Sequence, residues 1–136
     1  MTSRRPVQCL VAGGVLVASF TVGGCGKDKP AICSDVDALK SSVSDLTNVS
    51  LDKSSLAALP GDVAQVQSDL STVKSAAKTQ YATELSAVDQ ATSTVRSTLQ
   101  AAIATPSVST LAALGTAVKA LGASLSALES AVKDTC

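Results

Sequence analysis

Histidine and tryptophan are absent, and one Phe, one Tyr and one Met are all that the chain holds of the other aromatic and thioether side chains. Without His, a hydrolytic triad lacks its usual base, and a zinc site would have to be assembled from Cys and carboxylates alone. The carboxylates are poorly placed for paired acid–base work on a helix: Asp35 and Asp37 face different ways, and Glu84 and Asp89 are badly aligned. No Gly-rich loop follows a strand, so nothing cradles a phosphate. Positive charge is not in surplus either, since 11 Lys or Arg balance 11 Asp or Glu, which gives nucleic acid no basic surface to be drawn to. The expectation is a protein that is no enzyme, takes no cofactor or metal, and binds no nucleic acid.

Helix breakers are also scarce. From Asp62 to Thr105 there is no Gly and no Pro. Val63, Val66, Leu70, Val73, Ala77, Tyr81, Leu85, Val88, Thr92, Val95, Leu99 and Ala102 recur there every three or four residues, with Ile103 beside the last. That spacing keeps one stripe on one helical face and is incompatible with strand alternation. Successive steps of four around Ala77, Tyr81 and Leu85 read as a stutter, which unwinds a supercoil locally without breaking the helix. Asp62 with Gln65 has the form of a capping box after Pro60-Gly61, and Pro106 stops the run. Read as one helix, the stretch is about 65 Å long and needs a partner along most of its length.

Shorter helices flank it. The first is predicted from Cys33 to Val49, with Ser34 and Asp37 as cap and Val36, Leu39, Val43, Leu46 and Val49 as its apolar face. Residues 50–61 form a crossover holding a turn or two of helix around Ser54 to Leu59, whose Leu51, Leu56 and Leu59 cap one end of the core. The last helix follows Pro106-Ser107 and runs to Lys133. Leu111, Leu114, Val118, Leu121, Leu125, Leu128 and Val132 make the cleanest heptad in the chain. Gly115 and Gly122, one heptad apart beside that stripe, suggest close helix approach.

The N-terminus has a different character. Arg4 and Arg5 precede an almost wholly apolar or small run from Val7 to Gly24, and Val22-Gly23-Gly24-Cys25 closes it. The arrangement resembles the signal peptide and lipobox of bacterial lipoprotein precursors. The resemblance covers only this segment; it implies cleavage before Cys25 and a diacylglycerol on its thiol. On that reading residues 1–24 are a signal peptide, 25–30 are the lipidated Cys and a short tether, and 31–136 are a single helical domain. The tether spans at most about 17 Å, which keeps the domain close to the membrane. The mature chain loses Arg4 and Arg5 but no acidic residue and so carries a slight negative charge.

Processing leaves Cys33 and Cys136 as the only free thiols, and an exported compartment is oxidising, so the two are expected to pair. The bridge restricts topology, because its Cα atoms must approach within about 7 Å. In a plain three-helix bundle of equal helices the beginning and the end of the domain lie at opposite ends. Two all-α arrangements satisfy the bridge. The preferred one is an elongated antiparallel helical hairpin or bundle, with one long central helix and the two shorter helices laid end to end along it. The rival breaks the centre near Lys78 to Ala82 and makes a four-helix bundle.

Tyr81, the sole aromatic left after processing, lies on the stripe at the stutter and reads as a packed boundary residue with its hydroxyl at water. It is also a candidate partner contact, with Lys74 and Lys78 as the nearest positive patch; exposed lysines of this kind more often form a solvated face. Taken together, these features lead to the expectation of a lipid-anchored protein on the extracytoplasmic face of the cell membrane, acting as a structural or protein-interaction module of the envelope. Its partners would be the membrane through Cys25 and an envelope protein or a second copy. The alternative is a binding module for an apolar small molecule or lipid.

Overall fold

The structure, a computed structural model, describes residues 29–136, so the segment read as a signal peptide, Cys25 and most of the expected tether lie outside the described residues. Four helices follow in order: α1 (Ala31–Asn48), α2 (Leu59–Ala77), α3 (Ala82–Ala104) and α4 (Val108–Val132), with one 3-10 turn at Ser55–Ala57 between the first two. Each packs against its neighbour in the chain, and α4 returns to α1, while the diagonal pairs stay apart. The result is an all-α, up-down-up-down four-helix bundle about 30–40 Å long, from the helix lengths at 1.5 Å per residue.

The apolar stripes read from the sequence supply its core. Leu39 and Leu46 of α1, Val66 and Val73 of α2, Val88 and Val95 of α3, and Leu121 and Leu128 of α4 are sealed from solvent. Thr92 is the one buried polar side chain among the described residues, and its hydroxyl donates to the Val88 carbonyl at 2.8 Å, so it enters the stripe with its hydrogen bond made. Where the helices touch, polar links cross the seams: Ser42 to Asp69 between α1 and α2, Lys74 Nζ to Asp89 Oδ2 at 3.0 Å between α2 and α3, and Lys40 Nζ to Glu129 Oε1 at 2.9 Å between α1 and α4.

The uninterrupted helix expected over residues 62–105 is corrected: the chain turns back at Lys78-Thr79-Gln80-Tyr81, and the rival arrangement is the one observed. Nothing in those four side chains breaks a helix. The turn is made instead by Lys78 at φ 54° and Tyr81 at φ 61°, in the left-handed half of backbone space that costs a side-chain-bearing residue about 1–3 kcal/mol. Packing explains why this is worthwhile. Laid end to end on one straight rod, α1 and α4 would give every cross-section two helices and every stripe one neighbour. Folding the rod in half gives each stripe two neighbours, and each extra buried Leu or Val contributes about 1.5–3 kcal/mol. Glycine at the first of these positions relieves the conformation at the expense of a floppier unfolded chain. Lys78→Gly is accordingly expected to raise stability by about 1 kcal/mol, read as a higher urea midpoint at unchanged slope.

Helix boundaries differ from the sequence reading in instructive ways. α1 starts two residues early, at Ala31 after Pro30, and the Ser34 hydroxyl donates to the Ala31 carbonyl instead of capping. α2 starts at Leu59 and takes Pro60 into its first turn, where a missing N–H costs nothing, so Pro60-Gly61 opens this helix and Asp62 is not its cap. After Pro106, α4 opens with a capping box: Ser107 Oγ accepts from the Thr110 N–H at 3.2 Å, and Thr110 Oγ1 accepts from the Ser107 N–H at 3.0 Å.

The crossover is organised by Asp52. Its Oδ1 accepts from the Ser54 and Ser55 N–H groups, each at 2.9 Å, and from the Ser54 hydroxyl. The hydroxyl of Ser54, then the backbone of Ser55, hold the Asp52 carboxyl below its ordinary value. A depressed folded-state value means that the contribution of this turn is present above the unfolded Asp value and lost as pH falls through the folded one. In a carboxyl NMR titration Asp52 should therefore titrate below the free value of about 3.9, and Ser54→Ala should move it back up. Leu51, from the same loop, reaches over the core: a Cβ on Gly115 would stand 3.2 Å from Leu51 Cδ1. Gly115 thus makes room for a loop leucine and not for a neighbouring helix. Nothing lies within 4 Å of the position a Gly122 Cβ would take, so close approach there is not observed.

Candidate interaction surface

The two ends of the bundle differ. At one end, α1 begins, α4 finishes and the α2–α3 turn lies beside them, because three short connections in an up-down bundle bring the first and last ends together. There Cys33 and Cys136 are joined, with Cα atoms 5.7 Å apart. Tyr81 belongs to this end. It is half-buried against the core, and its hydroxyl meets the Thr135 hydroxyl beyond α4 and accepts from Gln80 Nε2 at 3.0 Å. A hollow of about 350 Å³ beside the bridge is lined by Lys29, Asp37, Lys40, Glu129 and Lys133 as well as both cysteines. Its charges are mutually compensating: the Glu129 carboxylate, accepting from Lys40, raises the Lys40 ammonium above its ordinary value.

Lys74 and Lys78 do come together, around a hollow of about 250 Å³ that also takes in Ala82, Leu85, Ser86 and Asp89. Tyr81 does not line it. Lys74 is ion-paired to Asp89, and Lys78 forms the left-handed residue that ends α2. The three residues nominated as one partner contact therefore divide into a tyrosine packed toward the end of α4 and a lysine pair on the α2–α3 face, with a carboxylate between the latter and any anion.

The opposite end carries what the sequence reading passed over. Ile103 (47% exposed) and Val108 (87% exposed) are the exposed large hydrophobic residues of the described chain. Ile103 edges a groove of about 280 Å³ between α2 and α3, with Pro60, Val63, Ala64 and Leu99 on its walls and Gln67, Arg96 and Gln100 on its rim. The signal was available: Ile103 stands one residue off the stripe position Ala102, and Val108 falls off the α4 heptad. Apolar residues out of phase with a buried face must point elsewhere.

α4 is the one described helix long and apolar enough to cross a membrane by length and composition. In the bundle its Leu and Val positions from Leu114 to Val132 are occupied with the core, and its outer face is mainly Ala, Ser and Thr with Lys119. No group of three or more Cys, Asp or Glu side chains gathers as a metal site among the described residues.

Fold and bridge together define the class: a disulfide-closed, antiparallel four-helix bundle, covalently tied at one end and bearing the exposed Ile103 and Val108 toward the other. No protein-family model, no curated protein and no solved structure matches the chain.

Proposed function

We propose that the chain is a lipid-anchored helical protein, held on the extracytoplasmic face of the cell membrane through Cys25, that acts as a structural or protein-interaction module of the envelope by presenting the end that bears Ile103 and Val108 to a protein partner. The observation that carries this reading is the polarity of the bundle. Lys29, where the described chain leaves toward Cys25, lies beside the Cys33–Cys136 bridge, while Ile103 and Val108 lie at the far end. An anchor at Cys25 puts the tied end against the lipid and the end bearing Ile103 and Val108 outward. A scattered exposed apolar residue needs no explanation; Ile103 differs in edging an apolar groove between α2 and α3, and Val108 stands exposed at the same end of the bundle. The alternative, an apolar small molecule or lipid as ligand, has less in its favour. The groove is open and, at about 280 Å³, falls just short of the usual range of about 300–1,000 Å³ for ligand pockets.

Two measurements test this. Intact mass of the membrane-extracted protein should give a chain starting at an acylated Cys25, and an unacylated start elsewhere removes the anchor. A photo-reactive residue placed at Ile103 or Val108 in intact cells should cross-link one envelope protein that the same probe at Ser86, on the tied end, does not. Equal labelling from all three positions would discard the apolar tip as the interface.

A further inference from the structure

The α2–α3 turn is unusual because its sequence prefers the structure it does not adopt. Lys78, Thr79, Gln80 and Tyr81 include no Gly, Pro, Asn or Asp, and the flanking helices continue one stripe through them: Leu70 and Val88, eighteen residues apart, are five helical turns from each other and face the same way. The bend holds two side-chain-bearing residues at positive φ, and both would return to ordinary values in a straight helix. A short hinge under strain between two well-formed helices invites exchange of halves between chains.

The bundle is divided accordingly. α1 packs chiefly on α2 and α4 chiefly on α3, so the molecule is two helical hairpins joined at the turn. The hairpins meet along α2–α3 and α1–α4, with the crossover also touching α3 and α4, and the Lys74–Asp89 and Lys40–Glu129 ion pairs, with the Cys33–Cys136 bridge, all cross that boundary. We propose that the partner best fitted to the inner face of each hairpin is the complementary hairpin of a second copy of this chain. Residues 59–104 straighten into one helix, two copies lie antiparallel, and α1–α2 of each completes a bundle with α3–α4 of the other. Every crossing contact is then remade between chains, including a disulfide from Cys33 of one copy to Cys136 of the other. Intrachain closure of that bridge, when it comes first, selects the monomer. The order of folding and oxidation therefore decides the form.

The test uses the full chain in detergent, prepared as equal amounts of ordinary and nitrogen-15 protein, reduced, unfolded and refolded together at increasing concentration. Glutathione disulfide is the oxidant: each protein bridge formed converts one glutathione disulfide to two glutathione thiols, which take up the two thiol protons. Peptides carrying the Cys33–Cys136 bridge are then weighed. The expected result is a mixed-isotope species that rises with concentration toward the statistical limit. The double variant Lys78→Gly and Tyr81→Gly, which relaxes the bend and weakens the straight helix, should lower that species roughly tenfold. Lys78→Ala with Thr79→Ala and Gln80→Ala should raise it. Same-isotope bridges alone at every concentration overturn the proposal, as does a mixed fraction indifferent to both sets of variants, which would mark random pairing of thiols.

Discussion

Replacing Cys33 and Cys136 together by Ala should lower the free energy of unfolding by about 4–5 kcal/mol, the chain-entropy ceiling for a loop of this size. The bridge spans 103 residues of sequence and encloses all four helices, so its removal frees the whole unfolded domain at once. At about 4–8 °C per kcal/mol for a domain near 100 residues, the melting temperature should drop by roughly 16–40 °C. Urea unfolding of the double variant against the oxidised parent measures it directly. A loss below about 1 kcal/mol would mean that the unfolded chain is already compact enough to keep its ends together. Both cysteines must be changed, because a single substitution leaves a thiol free to find other partners.

Leu121→Ala should cost about 2–5 kcal/mol, the range for deleting a sealed leucine. Leu121 is fully buried midway along α4, the helix that touches both α3 and α1. The cost within that range is set by how far the neighbours relax into the hole, and the α1 and α3 stripes beside it mix Leu with stiff, branched Val and Thr. The same substitution on the bridge-free background should leave a chain largely unfolded at 25 °C. Two losses of this size together match the whole stability of an ordinary domain of about 5–15 kcal/mol. Far-ultraviolet circular dichroism of the triple variant, with and without a stabilising osmolyte, distinguishes a folded from an unfolded outcome.

Much of this architecture is legible in the chain before any coordinates. The stripes of α1 and α4, the stop at Pro106, the leucines of the crossover and the pairing of Cys33 with Cys136 all follow from local chemistry or from the number of thiols. The turn at Lys78–Tyr81 does not, because its cause is not local. Left-handed geometry is normally announced by Gly or Asn; here it is imposed on Lys and Tyr by the area gained when the two hairpins close. Both arrangements compatible with the bridge put the two sulfurs near the middle of residues 62–105, so the disulfide alone could not choose between them. The thickness of the core decides it, a quantity belonging to the whole chain. The tip formed by Ile103 and Val108 was missed for a different reason: a reading that searches for periodicity overlooks the residues that fall out of phase. Tyr81 was recognised as a boundary residue, but its Thr135 partner lies 54 positions away, beyond any local pattern.

Because the bridge closes residues 33–136 into a covalent ring, the domain has no free fragment to shed when it is nicked. A protease that cuts once after Lys53, exposed in the crossover, adds a water molecule and two new ends, and the product still migrates as one species until a reductant is added. Two cuts are needed to release a peptide. Damage to one loop is thereby converted from loss of the molecule into a scar it can carry.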